Sequence, residues 1–314
     1  MCDEHTEADN EVYTRNARLT RRELGLGASA TVAALLAGCR SPAGTTDPPA
    51  VTETAAATGP TPALAASGAA IVGRMVAVDT ADGTAEAFFA ASEGSKHPGV
   101  LIWPDIAGLR PAFTAMATRL AEAGFAVLAV NPYFRTAKMP VLESFEQWRT
   151  EAGQAKINAA REALTNEAIM RDGAAFVAWL DRQAQVDSAR KIGTTGYCMG
   201  GPFTARTAAA APERIGVIGS FHGGGLVTEE ADSPHKLLAR TKVAALICIA
   251  ANDDERAPDT KDTLRKAAEA AHLTAEIEVY PAQHGWCVTD SPVYDQTQAE
   301  RAWARLLDML ATNL

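Results

Sequence analysis

Cys198 sits between glycines in Gly196-Tyr197-Cys198-Met199-Gly200, and a third, Gly201, follows. Further along come two carboxylates, Asp253 and Asp254 in ANDDERAP, and an imidazole, His284 in PAQHGW. A thiol, a carboxylate and an imidazole are the parts that acyl transfer uses: a nucleophile, a base that takes its proton, and a group that orients the base. The glycines have a geometric reading. A nucleophile on a sharp strand-to-helix turn sits in strained backbone, and side chains two residues to either side would collide with it. The helix N-terminus beyond such a turn lowers a thiol's pKa and presents amides to an oxyanion. The competing reading is a glycine-rich turn around a buried structural cysteine, a residue type often found in cores.

The elements that must bring these residues together are legible from Ile71 onward. IVGRMVAV and TAEAFFAA predict a strand pair around the Ala81-Asp82-Gly83 turn. GVLIWP (99–104), FAVLAV (125–130), KIGTTGY (191–197), IGVIGSF (215–221), VAALICIA (243–250) and AEIEVY (275–280) predict further strands. Helices are expected at 111–124, opened by Pro111 and closed by Gly124, through much of 142–184, from about 200, and at 259–271 and 295–312. Apolar strands alternating with helices imply a mostly parallel sheet covered on both faces, with ligands bound at the strands' carboxyl ends. Cys198, the Asp253–Asp254 pair and His284 all follow predicted strands at that end. Their chain order, nucleophile then acid then histidine, is that of α/β-hydrolases.

GYCMGG, the Asp-x-x-x-Pro of Asp254 to Pro258 and the His284 loop resemble the dienelactone hydrolase family across residues 71–314. The resemblance implies an α/β-hydrolase fold with a Cys-His-Asp triad and neither metal nor organic cofactor. It assigns Cys198 as nucleophile, His284 as base and Asp254 as orienting acid, the last because the family's acid stands four residues before a proline. Asp105, in IWPDIAG, takes the place of a family carboxylate that modulates the thiol. The backbone amides of Ile106 and Met199 would form the oxyanion hole. One departure stands out: a substrate-binding arginine that the family carries four residues after its histidine is here Val288. Arg149 and Arg161, in the helical stretch, are the other candidates for that task.

Several further residues have two readings. His222, in SFHGGG, either lines the pocket or packs a glycine-rich loop. Trp103, Trp286, Tyr133 and Phe134 fall at predicted loop edges, as pocket wall or as plain packing. Cys248 belongs to an apolar strand. Cys287, three residues after His284, is a candidate to bridge Cys198 under oxidising conditions.

Residues 1–38 read as an export signal. A Thr-Arg-Arg-x-Leu pattern at 20–24 resembles the twin-arginine type, and LAGC at 36–39 resembles a lipobox that would lipidate Cys39. Residues 39–70, rich in Ala, Thr and Pro, read as a disordered tether, which leaves 71–314 as the working domain. The formal net charge of −9 argues against a basic nucleic-acid or anionic-membrane surface, so a membrane is met only through the Cys39 anchor. Five cysteines without a CxxC pair make a structural zinc site unlikely to form, and no metal is expected. The expected activity is thiol-dependent hydrolysis of small activated esters or lactones by an exported, lipid-anchored protein of the cell envelope. The rival is a hydrolase-like lipoprotein without turnover, acting in ligand binding or thiol redox sensing.

Overall fold

The computed structural model describes residues 70–314. The export signal, Cys39 and nearly all of the tether lie outside them. The predicted opening hairpin forms from β1 (Ile71–Thr80) and β2 (Gly83–Ser92), paired antiparallel around a turn closed by Gly83 at φ 130°. Thereafter strands and helices alternate: β3 (Gly99–Trp103), α1 (Pro111–Glu122), β4 (Ala126–Val130), then the short α2 (Phe145–Trp148), α3 (Glu151–Arg161) and α4 (Asn166–Asp181). These are followed by β5 (Ile192–Tyr197), a turn of 3₁₀ helix at Cys198–Gly200, α5 (Gly201–Ala210), β6 (Ile215–Phe221), α6 (Pro234–Leu237) and β7 (Ala244–Ala250). The last elements are α7 (Ala251–Arg256), α8 (Thr260–Ala270), β8 (Ala275–Tyr280) and α9 (Gln296–Asn313). The stretch expected to be mostly helical, 142–184, is three helices. The first turn of α7 carries Asp253 and Asp254, which were expected in a loop.

All eight strands join one sheet in the order β1-β2-β4-β3-β5-β6-β7-β8, and every pairing from β4 to β8 is parallel. The central strands β3, β4, β5, β6 and β7 are buried along their whole length. Their alternating side chains feed two separate cores, one on each face. Leu101 and Trp103 of β3 join Phe176 and Phe203 on one face, and Val100 and Ile102 join Phe113, Leu120 and Leu306 on the other. This is the α/β-hydrolase architecture expected from the sequence.

The strand order reverses at β3: the chain first steps outward to β4, then returns to lay β5 on the other side. Loops leaving β3 and β5 therefore diverge and open a crevice between them at the strands' carboxyl ends. The loop after β3 carries Asp105 and Ile106; the turn after β5 carries Cys198 and Met199.

Trp103 illustrates how the crevice floor is held. It is fully buried, not a pocket wall, with Phe176 and Phe203 both 5.5 Å away edge-on and its indole N–H donating to Thr207 Oγ1 at 3.0 Å. Removing that ring leaves a cavity and takes a donor from the Thr207 hydroxyl, which keeps its own hydrogen bond to the Phe203 carbonyl. Trp103→Ala is expected to destabilise the fold by about 3–5 kcal/mol, read as a lower denaturant midpoint with an unchanged m-value.

Candidate active site

Cys198 has φ 51°, in the left-handed region that a side chain makes costly. The backbone folds back on itself so closely that its neighbours must lack Cβ atoms. A Cβ on Gly196 would stand 2.0 Å from the Gly200 carbonyl oxygen; one on Gly200 would lie 2.5 Å from the Trp103 carbonyl oxygen and 2.6 Å from that of Pro104. Gly201 meets Gly223 in the same way, at 2.6 Å. The three glycines thus wedge the turn between the end of β3 and the loop after β6. Cys198 itself is buried. Cys248 and Cys287 are free thiols. The expected Cys198–Cys287 bridge is therefore not made. Burial pushes the Cys287 thiol well above its ordinary pKa, as expected of an inert core cysteine.

His284 is buried in the loop after β8. Its Nδ1 lies 2.6 Å from Asp253 Oδ2, and its backbone N–H donates to Asn252 Oδ1 at 2.8 Å. A carboxylate only accepts, so Nδ1 carries the proton and Nε2 is the basic nitrogen. Asp253, not Asp254, partners the histidine. Successive residues on a helix point about 100° apart, so only one of this pair faces the His284 loop. Asp254 turns away to Lys261 Nζ at 2.6 Å.

His222 stands between these parts. Its backbone takes φ 40°, its ring lies 4.9 Å from His284 and 5.2 Å from Trp286, and neither ring nitrogen has a partner. Burial, and then the nearby His284, push its pKa well below the ordinary value. His222 is thus a neutral ring packed on the histidine. Trp286, fully buried and stacked on Tyr280 at 5.3 Å, lies 5.2 Å from that ring on another side.

Asp105 is held within its own loop. Its carboxylate accepts from Arg110 twice, at 2.6 and 2.9 Å, and from the Ala107 amide at 2.9 Å. It clamps the loop after β3. Arg110, which the sequence reading passed over, is buried and also grips Asp290 at 2.8 and 2.7 Å, tying the β3 loop to the segment after His284. Tyr133 does a similar task. Its buried hydroxyl donates to the Ile106 carbonyl at 2.7 Å and lies 3.3 Å from Met199 Sδ, so it links the two residues named for the oxyanion hole. Beside Met199 opens a cavity of about 460 Å³, lined also by Arg161, Phe203 and Arg206. Arg149, half-buried at the end of α2, is not part of that lining.

A model of the dienelactone hydrolase family matches residues 85–314. A protein of Methylorubrum extorquens described as "Putative carboxymethylenebutenolidase" is 28% identical over 244 residues, 76% of this chain and 80% of its own. A solved structure described as a "Putative Dienelactone Hydrolase" from Klebsiella pneumoniae superposes with TM-score 0.67 at 23% identity, covering 77% of this chain and 99% of that one. Another, a "Dienelactone Hydrolase-like" promiscuous phosphotriesterase from metagenomic libraries, gives 0.62 at 22% identity over 77% of this chain and 98% of the other.

Two outcomes follow from the geometry. Gly196→Ala is expected to disrupt the turn outright, because the clash is with backbone; soluble yield and melting temperature should both drop sharply. Asp290 gives a pH effect. Burial raises its pKa, but the Arg110 hydrogen bonds and charge outweigh that and leave it below 3.8. A depressed carboxylate adds stability above its unfolded pKa and loses it as pH falls through the folded value. Asp290→Asn should therefore be less stable than wild type at neutral pH, and the gap should narrow on acidification below about pH 4, measured by urea midpoints across pH.

Proposed function

Because the chain belongs to the dienelactone hydrolase family, we propose that it hydrolyses small activated esters or lactones with Cys198 as nucleophile, His284 as base and Asp253 as the acid that orients it. The observation that carries this reading is the 2.6 Å contact between His284 Nδ1, in the loop after β8, and Asp253, in the first turn of α7, at the same carboxyl ends of the strands as the strained turn of Cys198. Nδ1 is fixed as donor to the carboxylate, so Nε2 is the nitrogen set to accept a proton.

The cycle starts from the thiol of Cys198. His284 takes the thiol proton, and the sulfur attacks the carbonyl carbon. Negative charge passes to the carbonyl oxygen, received by the amides of Met199 and Ile106. The tetrahedral intermediate collapses as His284 returns the proton to the leaving oxygen. Water, deprotonated by the same histidine, then cleaves the thioester and regenerates the thiol. The neutral ring of His222 and the indole of Trp286 keep this base in apolar surroundings, where its contact with Asp253 is stronger than in water. The export pattern at 20–24 and the lipobox-like LAGC at 36–39 support a place in the cell envelope; palmitate labelling that survives Cys39→Ala would refute the anchor.

A second reading draws on the burial of Cys198: a redox-sensing or ligand-binding domain that does not turn over. Hydrolysis of p-nitrophenyl acetate by the full chain separates the two. The hydrolase should act under reducing conditions and lose at least about a hundredfold in kcat/KM on Cys198→Ala. Asp253→Asn should cost about 10²–10⁴-fold in kcat, and Asp254→Asn less than about threefold. Equal inertness of reduced wild type and Cys198→Ala, both folded, favours the sensor; equal activity removes Cys198 as nucleophile.

A further inference from the structure

The cavity beside the Cys198 turn lies on the face of the sheet whose core includes Met199 and Phe203. A second cavity, of about 120 Å³, lies on the opposite face, between α1 and α9. The two helices meet at its exposed rim, where Arg119 donates to Glu300 Oε1 at 2.8 Å and its guanidinium stands 4.2 Å over the Trp303 ring. Between them the lining is built of small side chains, Ala112 and Ala115 from α1 and Ala299 and Ala302 from α9. A methyl group at each of these positions leaves unfilled a space that packed interiors ordinarily close, and the atoms around it lack dispersion partners on one side.

The floor of this cavity is aromatic. Tyr197 and Phe221, both buried, stack at 5.0 Å with their planes 13° apart. The charges in the lining, Arg119 and Glu300, satisfy each other. An apolar cavity of about 150 Å³ takes benzene, and a planar ring is the shape that packs offset or edge-on against aromatic walls. Size and lining therefore fit one six-membered ring. The remaining wall comes from the loop after β8. Cys287, three residues after His284, lines the space with its free, buried thiol, and Thr289 and Tyr294 continue the wall. An occupant would thus touch both helices and the segment that follows the catalytic imidazole.

We propose that this cavity is a second binding site, for one uncharged aromatic ring, and that the bound ring braces the loop carrying His284 against α1 and α9. The ring gives the lining the dispersion contacts it lacks. Because it binds the arrangement in which loop and helices are all in place, it stabilises that arrangement over any in which the loop has lifted away. Tyr197 and Phe221, on the floor, immediately precede Cys198 and His222, so the brace lies directly behind the catalytic groups, on the other side of the sheet from the cavity beside Met199.

Hydrogen exchange of the full chain, read by mass spectrometry with and without toluene, tests both parts. In buffer nearly saturated with toluene, exchange should slow at least about threefold in residues 287–294 and in the facing stretches of α1 and α9, as it does for a ligand at about twice its Kd. Ala302→Leu, whose side chain fills the space, should remove that protection. Should it fail to fold, Ala115→Leu takes its place, because Ala115 is exposed and tolerates the larger side chain. Protection confined to the two helices overturns the brace. Protection of none of these segments, or equal protection of wild type and the filled variant, overturns the site. Benzoate, the same ring with a charge, should need at least about tenfold higher concentration for the same protection, and parity with toluene overturns the uncharged class. No outcome depends on turnover, so the site stands or falls apart from the hydrolase reading.

Discussion

Much of this site depends on a close approach of backbone to backbone. Cys198 can hold φ 51° because Gly196 and Gly200 let the turn close on itself and press against the carbonyls of Trp103 and Pro104. The contact joins the end of β5 to the end of β3 across the crevice made by the strand reversal. Met199 and Ile106 are thereby neighbours, and Tyr133 secures both. Arg110 then passes the constraint on, clamping the β3 loop through Asp105 and the segment after His284 through Asp290. A turn of five residues is connected in this way to a carboxylate 180 positions beyond Arg110.

What could be read in the sequence was what has a local cause. Strand runs, proline starts and glycine stops gave the order of elements, and the glycines around Cys198 announced a turn that no other residue type would permit. Partners chosen by rotation or by distant contact were not legible. Asp253 and Asp254 are adjacent in the chain, and which of them meets His284 depends on the phase of a six-residue helix that reads as a loop. A count back from Pro258 favoured the wrong member of the pair. The partner of Asp105 was hidden for a different reason: Arg110 is in plain view in IAGLR, but the second carboxylate that fixes that arginine, Asp290, lies far along the chain. Trp103 sits at a predicted loop edge and turned out to be core, because α4 and α5 close over it.

Arg206 shows the same limit from the other side. In GPFTAR it is an ordinary basic residue in a helix, and its sequence neighbours say nothing about its surroundings. Its character comes from burial without acceptors. His222 is comparable, since a histidine beside three glycines reads as a loop residue until the ring of His284 is found against it. Both are polar groups whose hydrogen-bonding capacity the fold leaves unfilled, and such groups are informative because most buried polar atoms are paired.

The sheet order has a consequence for how this site would be lost. Each group follows a different strand, and His284 follows β8, an edge strand that is only partly buried where β3 to β7 are fully so. Edge elements open at lower free energy than central ones. The imidazole therefore hangs on an edge of the sheet while the thiol hangs on its centre, so mild denaturant would separate base from nucleophile while most of the molecule still registers as native.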